Sequence, residues 1–165
     1  RHIFIFSYLC GGISFVDIAN LKMENIQRGR LHYQRQKTHG EINLKINDIA
    51  LSIIQYYKAH QIKASYLFPI LDATKHKTPM QKKNRVHKVC AQVNKELRNL
   101  AKELNINAPI TTYWARHSFA TILKKSGVNI SIISEALGHH DIQTTQIYLD
   151  SFENEQVDAA MKNLL

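Results

Sequence analysis

Three side chains in one stretch carry the chemistry this sequence offers. In Y-W-A-R-H-S-F-A-T, residues 113–121, Arg116 lies inside a helical pattern; in A-L-G-H-H, His139 follows a Leu-Gly helix stop; Tyr148 lies nine residues beyond that imidazole. Together they suit phosphate chemistry. The planar fork of an arginine holds two non-bridging phosphate oxygens, which a lysine point charge does not. A tyrosine hydroxyl, with a free pKa of roughly 10, attacks phosphorus only when neighbouring groups stabilise the developing phenolate.

Composition sets bounds on such a chain. With 165 residues, 44% of them apolar, it is long enough for one substantial core and reads as a single domain spanning 1–165, excised from a longer protein because it lacks an initiating Met. No run of 18 apolar residues is present, and the apolar start R-H-I-F-I-F-S-Y-L-C has no cleavage site, so no membrane partner is expected. Cys10 and Cys90 stand far apart and outside any metal pattern, and the nine histidines are scattered apart from the His139-His140 pair. Reduced thiols, a cytoplasmic location, no metal and no cofactor are the expectations.

Formal net charge is +9; residues 150–165 hold four acids and one lysine, which leaves 21 basic and 9 acidic groups in residues 1–149, a net of +12. A polyanion partner follows, nucleic acid before an anionic membrane, with charge for solubility as the plain alternative. Lys75, Lys77, Lys82, Lys83, Arg85 and Lys88 form a segment of six cations without an acid, suited to phosphate contacts that carry affinity but read no sequence. A solvated basic face has the same composition.

The elements that must position these groups read as mainly helical, with a small antiparallel sheet. Residues 2–9 form a helix closed by Gly11 and Gly12, and Ser14 caps a short second helix that turns Phe15, Ile18 and Leu21 inward. Leu31, Tyr33, Arg35 and Lys37 then share one strand face, Thr38-His39-Gly40 turns, and Ile42, Leu44 and Ile46 alternate on the return, with a third short strand near Ile26–Arg28. Asn47 caps a helix to about His60 with Ile49, Ile53, Ile54 and Tyr57 apolar, Tyr66–Pro69 is a buried turn, and residues 73–83 are an exposed loop. A long helix runs from Asn84 to Leu104, its stripe extending to Leu100 and Leu104. Thr111 or Thr112 caps the helix of Arg116, Asn129 or Ser131 starts the next, Gly138 stops it in a left-handed conformation, and a short helix from Asp141 carries Tyr148. The tail, 152–165, is amphipathic, with Val157, Met161 and Leu164 packing either on this chain or on a neighbouring protomer.

The pattern A-R-H-S-F-A-T, then L-G-H, then tyrosine nine residues on resembles the tyrosine recombinase (phage integrase) family over most of the chain. The resemblance implies an α+β, mainly helical catalytic domain of an integrase from a bacterial mobile element, nucleoid-associated, with a DNA-clamping domain preceding it. It implies site-specific cutting and rejoining of double-stranded DNA through a 3′-phosphotyrosine, in a tetrameric synapse of like protomers, with DNA-bending accessory proteins. By that resemblance Tyr148 is the nucleophile, Arg116 the second family arginine, His139 the histidine that hydrogen-bonds the phosphate or the tyrosyl oxygen, and Lys37 the hairpin lysine that protonates the departing 5′-oxygen.

Two positions depart from the family. Tyr113 stands three residues before Arg116, where H-x-x-R would place an imidazole; its phenol shares a helix face with Arg116 and can donate a hydrogen bond, but cannot be a cation at neutral pH. The first family arginine is replaced by Ser14 in C-G-G-I-S-F-V-D, and Arg35, two residues before Lys37, is the candidate to supply the missing charge. Two alternatives stay open: relaxation of DNA by a type IB topoisomerase-like activity, and a catalytically degenerate DNA-binding domain.

Overall fold

In a computed structural model, which describes residues 1–60, 65–139 and 141–150, helices enclose one small sheet. Helix α1 (His2–Leu9) ends at Cys10, after which Gly11 and Gly12 take positive φ, and α2 (Phe15–Asn20) starts at Ser14, whose hydroxyl accepts from the Asp17 amide. A single 3-10 turn (Met23–Asn25) leads into the antiparallel strands β1 (Ile26–Gln27), β2 (Arg30–Gln34) and β3 (Glu41–Lys45), in that spatial order. In the β2–β3 register Leu31 faces Leu44 and Tyr33 faces Ile42, which puts one face of the hairpin into the core.

Helix α3 (Asp48–His60) is capped by Asn47, whose side chain accepts from the Ala50 amide. Its inward face is Ala50, Ile53 and Ile54; Ile49, expected there, is 60% exposed, because the stripe is set by what α1 offers as a partner and not by apolarity alone. Of the turn expected to be buried, Tyr66, Leu67 and Phe68 are buried and Pro69 is exposed. Helix α4 (Pro79–Glu103) begins five residues earlier than expected. Thr78 and Gln81 close a capping box and Pro79 takes the first helical position, a start signal that outweighs the reading of residues 73–83 as one loop. At its far end Leu100 and Leu104 are exposed.

Helix α5 (Trp114–Lys125) has Tyr113 at its N-cap without a side-chain cap bond. Neither Thr111 nor Thr112 caps it: the Thr112 amide donates instead to Asn94 of α4, and the Thr111 carbonyl accepts from Trp114. Helix α6 (Ile130–Leu137) starts at Asn129, whose side chain accepts from the Ser131 amide, and stops at Gly138 with φ 61° and ψ 40°, as the Leu-Gly stop predicted. Residues 142–150 form a last helix, α7. The tail reading falls on residues outside those described.

Apolar side chains gather in two clusters. One joins α1, α2, α3, the sheet and the 66–71 segment around Phe6, Ile18, Leu31 and Phe68; the other joins α5, α6 and α7 around Ala120, Ile133, Leu137 and Leu149. Helix α1 also packs on α5, so the first cluster holds the helix that carries Arg116. Cys10 is buried and Cys90 half-buried, both free thiols; burial pushes the Cys10 thiol up to about 12, so it stays protonated. Among the described residues no helix is long and apolar enough to cross a membrane.

Candidate functional site

Where α6 ends, the left-handed Gly138 turns carbonyls toward the gap between the two clusters, and two guanidinium groups meet there. Arg116, on α5 and only 4% exposed, donates from Nη2 to the Leu137 carbonyl and from Nη1 to the Gly12 carbonyl at 3.0 Å. Arg35, 7% exposed, donates from Nη1 to the same Leu137 carbonyl and to that of Gly138, each at 2.8 Å. Partial negative charge at a helix C-terminus favours cations, and here it holds two that repel one another. Burial and the neighbouring Arg35 both lower the Arg116 pKa from its ordinary value.

Arg35 takes this place through Asp17. Having one carboxylate oxygen 3.9 Å from Arg35 Nε, Asp17 also accepts from the Ser14 hydroxyl at 2.7 Å and from the Gln36 amide at 2.8 Å. The buried acid that follows Ser14 therefore draws the hairpin arginine into the space Ser14 leaves. Strand β2 ends at Gln34, so Lys37 is not on a strand face beside Arg35 but exposed in the turn that follows. The turn is tied by the Arg35 carbonyl accepting from His39, which has φ 56°. Lys37 still lines the gap, close enough to help lower the His139 pKa.

The glycine is required twice over. A Cβ at Gly138 would lie 2.6 Å from Arg35 Cδ and 2.9 Å from Ile42 Cδ1. Gly138→Ala is expected to cost about 1–2 kcal/mol for the left-handed backbone, and more for the clash, read as a lower midpoint in urea unfolding.

His139 sits one residue beyond, bridging the arginine to α7. Its Nε2 is 3.2 Å from Arg116 Nη2, which can only donate, so Nε2 accepts. Burial first, then Arg116, Arg35 and Lys37, lower its pKa to about 4, so the ring is neutral at neutral pH and its one proton is on Nδ1, donated to Thr145 Oγ1 at 2.8 Å. Thr145 is fully buried.

Tyr148 closes the gap from α7. Its hydroxyl is hydrogen-bonded to His117 Nδ1 at 2.9 Å, with the two rings nearly parallel at 5.2 Å, and its ring is 6.0 Å from that of His139. Burial raises the Tyr148 pKa above its ordinary value, the neighbouring Tyr113 adds to this, and Arg116 opposes it. Tyr113 lies half-exposed with its ring edge-on to His117 at 4.4 Å. Arg35, Lys37, Tyr113, Arg116, His139 and Tyr148 thus line one open cleft of about 700 Å³, with Ser14 at its rim.

His117 and Thr145 escape a reading by motif. The spacing that finds them is helical: His117 is four residues after Tyr113, and Thr145 three before Tyr148, and they meet Tyr148 and His139 respectively.

The basic segment lies apart from this cleft. Lys75 pairs with Asp72 at 3.6 Å, and Arg85 Nε donates to the Ile70 carbonyl at 3.0 Å, lining a second depression with the 69–76 loop. Lys77, Lys83 and Lys88 are exposed, and Lys82 and Lys83 lie on α4 beside a further depression between α2 and α4.

The chain matches the sequence profile of the Phage integrase family over residues 8–155. It is 30% identical over 141 residues to Tyrosine recombinase XerA of Pyrococcus horikoshii, covering 83% of this chain and 45% of that one. To Tyrosine recombinase XerD of Halalkalibacterium halodurans it is 52% identical over 54 residues, 33% of this chain and 18% of the relative. The chain spans less than half the length of these curated relatives. Its fold matches that of the XerH site-specific recombinase bound to difH substrate in a pre-cleavage complex, with TM-score 0.65 and 18% identity over 90% of this chain and 42% of that one.

Proposed function

The chain belongs to the phage integrase family, and from that membership we propose that it is the catalytic domain of a site-specific tyrosine recombinase that cuts and rejoins DNA through a 3′-phosphotyrosine. The observation that carries the reading is the convergence of two buried guanidiniums, an imidazole and a phenol on one cleft. Each has a role. Tyr148 Oη attacks the scissile phosphorus. Three of the five N–H groups of Arg116 are engaged within the protein, which leaves two to receive non-bridging oxygens. An entering phosphate oxygen displaces the Arg116–His139 contact; His139 then offers a proton from Nε2, and the Thr145 hydroxyl turns from acceptor to donor at Nδ1.

Lys37, in the exposed turn, protonates the departing 5′-oxygen, help commonly worth 10² to 10⁴ in rate. One phosphodiester is exchanged for another, so no energy-supplying cofactor is needed. Tyr113, at the cleft edge, donates a hydrogen bond to the phosphate in this reading.

We assign to Arg35 the charge that Ser14 does not supply. Arg35→Ala is expected to slow covalent cleavage of a suicide DNA substrate by about 10² to 10³, with Arg35→Lys recovering little of it because a point charge does not replace the fork. Cleavage by Arg35→Ala at the parental rate would remove Arg35 from the chemistry.

The partners in this reading are double-stranded DNA and further protomers of the same protein assembled on it as a tetramer, joined by DNA-bending accessory proteins, with the reaction serving a mobile element in the bacterial nucleoid. Lys77, Lys82, Lys83 and Lys88 grip the backbone; Lys75 and Arg85, already engaged at home, add to the positive field. Incubating the full-length protein with two copies of its target sequence tests the function: strand exchange that needs both copies supports it, and equal relaxation of a supercoiled plasmid lacking the sequence, with no exchange, would favour the topoisomerase-like alternative.

A further inference from the structure

A phenol that attacks phosphorus must lose its proton as it does so. The three groups on the phosphate side of the cleft do not accept it: Arg116 and Arg35 carry no acceptor, and His139, its contact with Arg116 displaced by the phosphate, offers a proton from Nε2 while Nδ1 is turned to Thr145. At the other side lies an imidazole that the roles above leave unassigned. His117 Nδ1 is 2.9 Å from Tyr148 Oη, with the ring nearly parallel to the phenol and its other flank against the edge of Tyr113. Resting on the recombinase reading, we propose that His117 is a catalytic residue, the base that receives the phenolic proton of Tyr148 while its oxygen bonds to phosphorus.

The step balances. The O–H bond of Tyr148 breaks and an N–H bond forms at His117 Nδ1; the phenolic oxygen bonds to phosphorus; the bond from phosphorus to the 5′-oxygen breaks, and that oxygen takes a proton from Lys37. One proton is gained at His117 and one lost at Lys37, and rejoining runs the exchange backwards.

Position and charge both favour this base. Helical spacing puts His117 one turn beyond Tyr113 on the face that meets α7, so an imidazole reaches the nucleophile although position 113 carries a phenol. Among the described residues, the groups facing His117 include Tyr148 from α7 and, on its own helix, Tyr113 and Arg116, with His139 and Arg35 behind them. No acid is among these groups. Burial and Arg116 lower its pKa from 6.5, so it is neutral, hence able to accept, at neutral pH. Since the Tyr148 pKa is raised in the same place, full ionisation ahead of attack is unfavourable. Transfer therefore runs in concert with O–P bond formation, the regime in which a positioned base matters most.

The sign of the pH dependence follows: a base of lowered pKa works above that pKa and fails as pH falls through it. The test uses the full-length protein on a suicide DNA substrate, following covalent adduct formation against pH for the parent, His117→Ala and His117→Gln. Both variants are expected to bind DNA as the parent does, to form adduct about 10² to 10⁴ times more slowly, and to lose the acid-side fall in rate. Added imidazole should accelerate His117→Ala in proportion to its neutral fraction. His117→Gln, which keeps a hydrogen-bonding group but no basicity, should stay slow. A His117→Ala rate within about threefold of the parent, or a slow variant that keeps the parental acid limb and gains nothing from imidazole, would overturn the proposal. A parent protein that forms no adduct would overturn the recombinase reading itself, a separate result.

Discussion

Tyr148→Phe is expected to abolish covalent attachment to DNA while leaving the fold and DNA affinity intact. The substitution removes one oxygen and keeps the ring that packs partly buried on the cluster of Ala120, Ile133, Leu137 and Leu149. The hydrogen bond to His117 is lost, a stability change of about 1 kcal/mol, far too small to unfold a domain of this size. If Tyr148 is the nucleophile, then with the attacking atom gone the reaction loses its first bond and not a fraction of its rate. Denaturing gels of protein incubated with a nicked suicide duplex, beside a mobility-shift titration, separate the two effects. Unchanged binding with no adduct is the expected pair of results. An adduct formed by Tyr148→Phe would move the nucleophile elsewhere.

Arg116→Ala should come next in size, slowing adduct formation by about 10² to 10³ or more, and it carries a structural cost that Tyr148→Phe does not. The Gly12 carbonyl loses its buried donor, a penalty of about 1–3 kcal/mol, while the Leu137 carbonyl keeps the bond from Arg35. Arg116→Lys separates the two losses, because an ammonium restores charge and one donor without the planar fork; it should recover stability more than rate. A second consequence is read at His139. With Arg116 removed, one cause of its lowered pKa disappears, and Nε2 no longer accepts from a guanidinium. Its pKa should therefore rise from about 4 toward the ordinary histidine value, and the cationic form becomes accessible at a higher pH than in the parent. Proton resonance of the His139 ring against pH checks the direction: no rise would mean that Arg116 does not contribute and that burial, Arg35 and Lys37 set the value.

Much of this site can be read along the chain because its parts are local. The Leu-Gly stop before His139, the helical setting of Arg116 and the nine-residue step to Tyr148 are each fixed by neighbours in sequence, and the capping groups Ser14, Asn47 and Asn129 behave as their side chains dictate. The convergence of Arg35 and Arg116 on the Leu137 carbonyl is of another kind. It joins residues separated by 102 and 21 positions, and only packing decides which carbonyl each fork finds. The two-residue step to Lys37 makes Arg35 a candidate, yet what holds it are the Leu137 and Gly138 carbonyls with Asp17 alongside, contacts no spacing rule contains. Lys37 itself lies past the strand end, since alternation states which face a residue takes but not where pairing stops. His117 stands within A-R-H-S-F-A-T, but its partner is on another helix, and Thr145 is a buried polar residue whose partner is His139.

The most direct measurement is the chemical identity of the link between protein and DNA. Full-length protein trapped on a suicide substrate, digested and sequenced by mass spectrometry, should yield a single peptide carrying a nucleotide on Tyr148 through a 3′-phosphate, with a free 5′-hydroxyl on the released strand. A link at another residue, a 5′-phosphate attachment, or no link under conditions where the target DNA is bound would contradict the account.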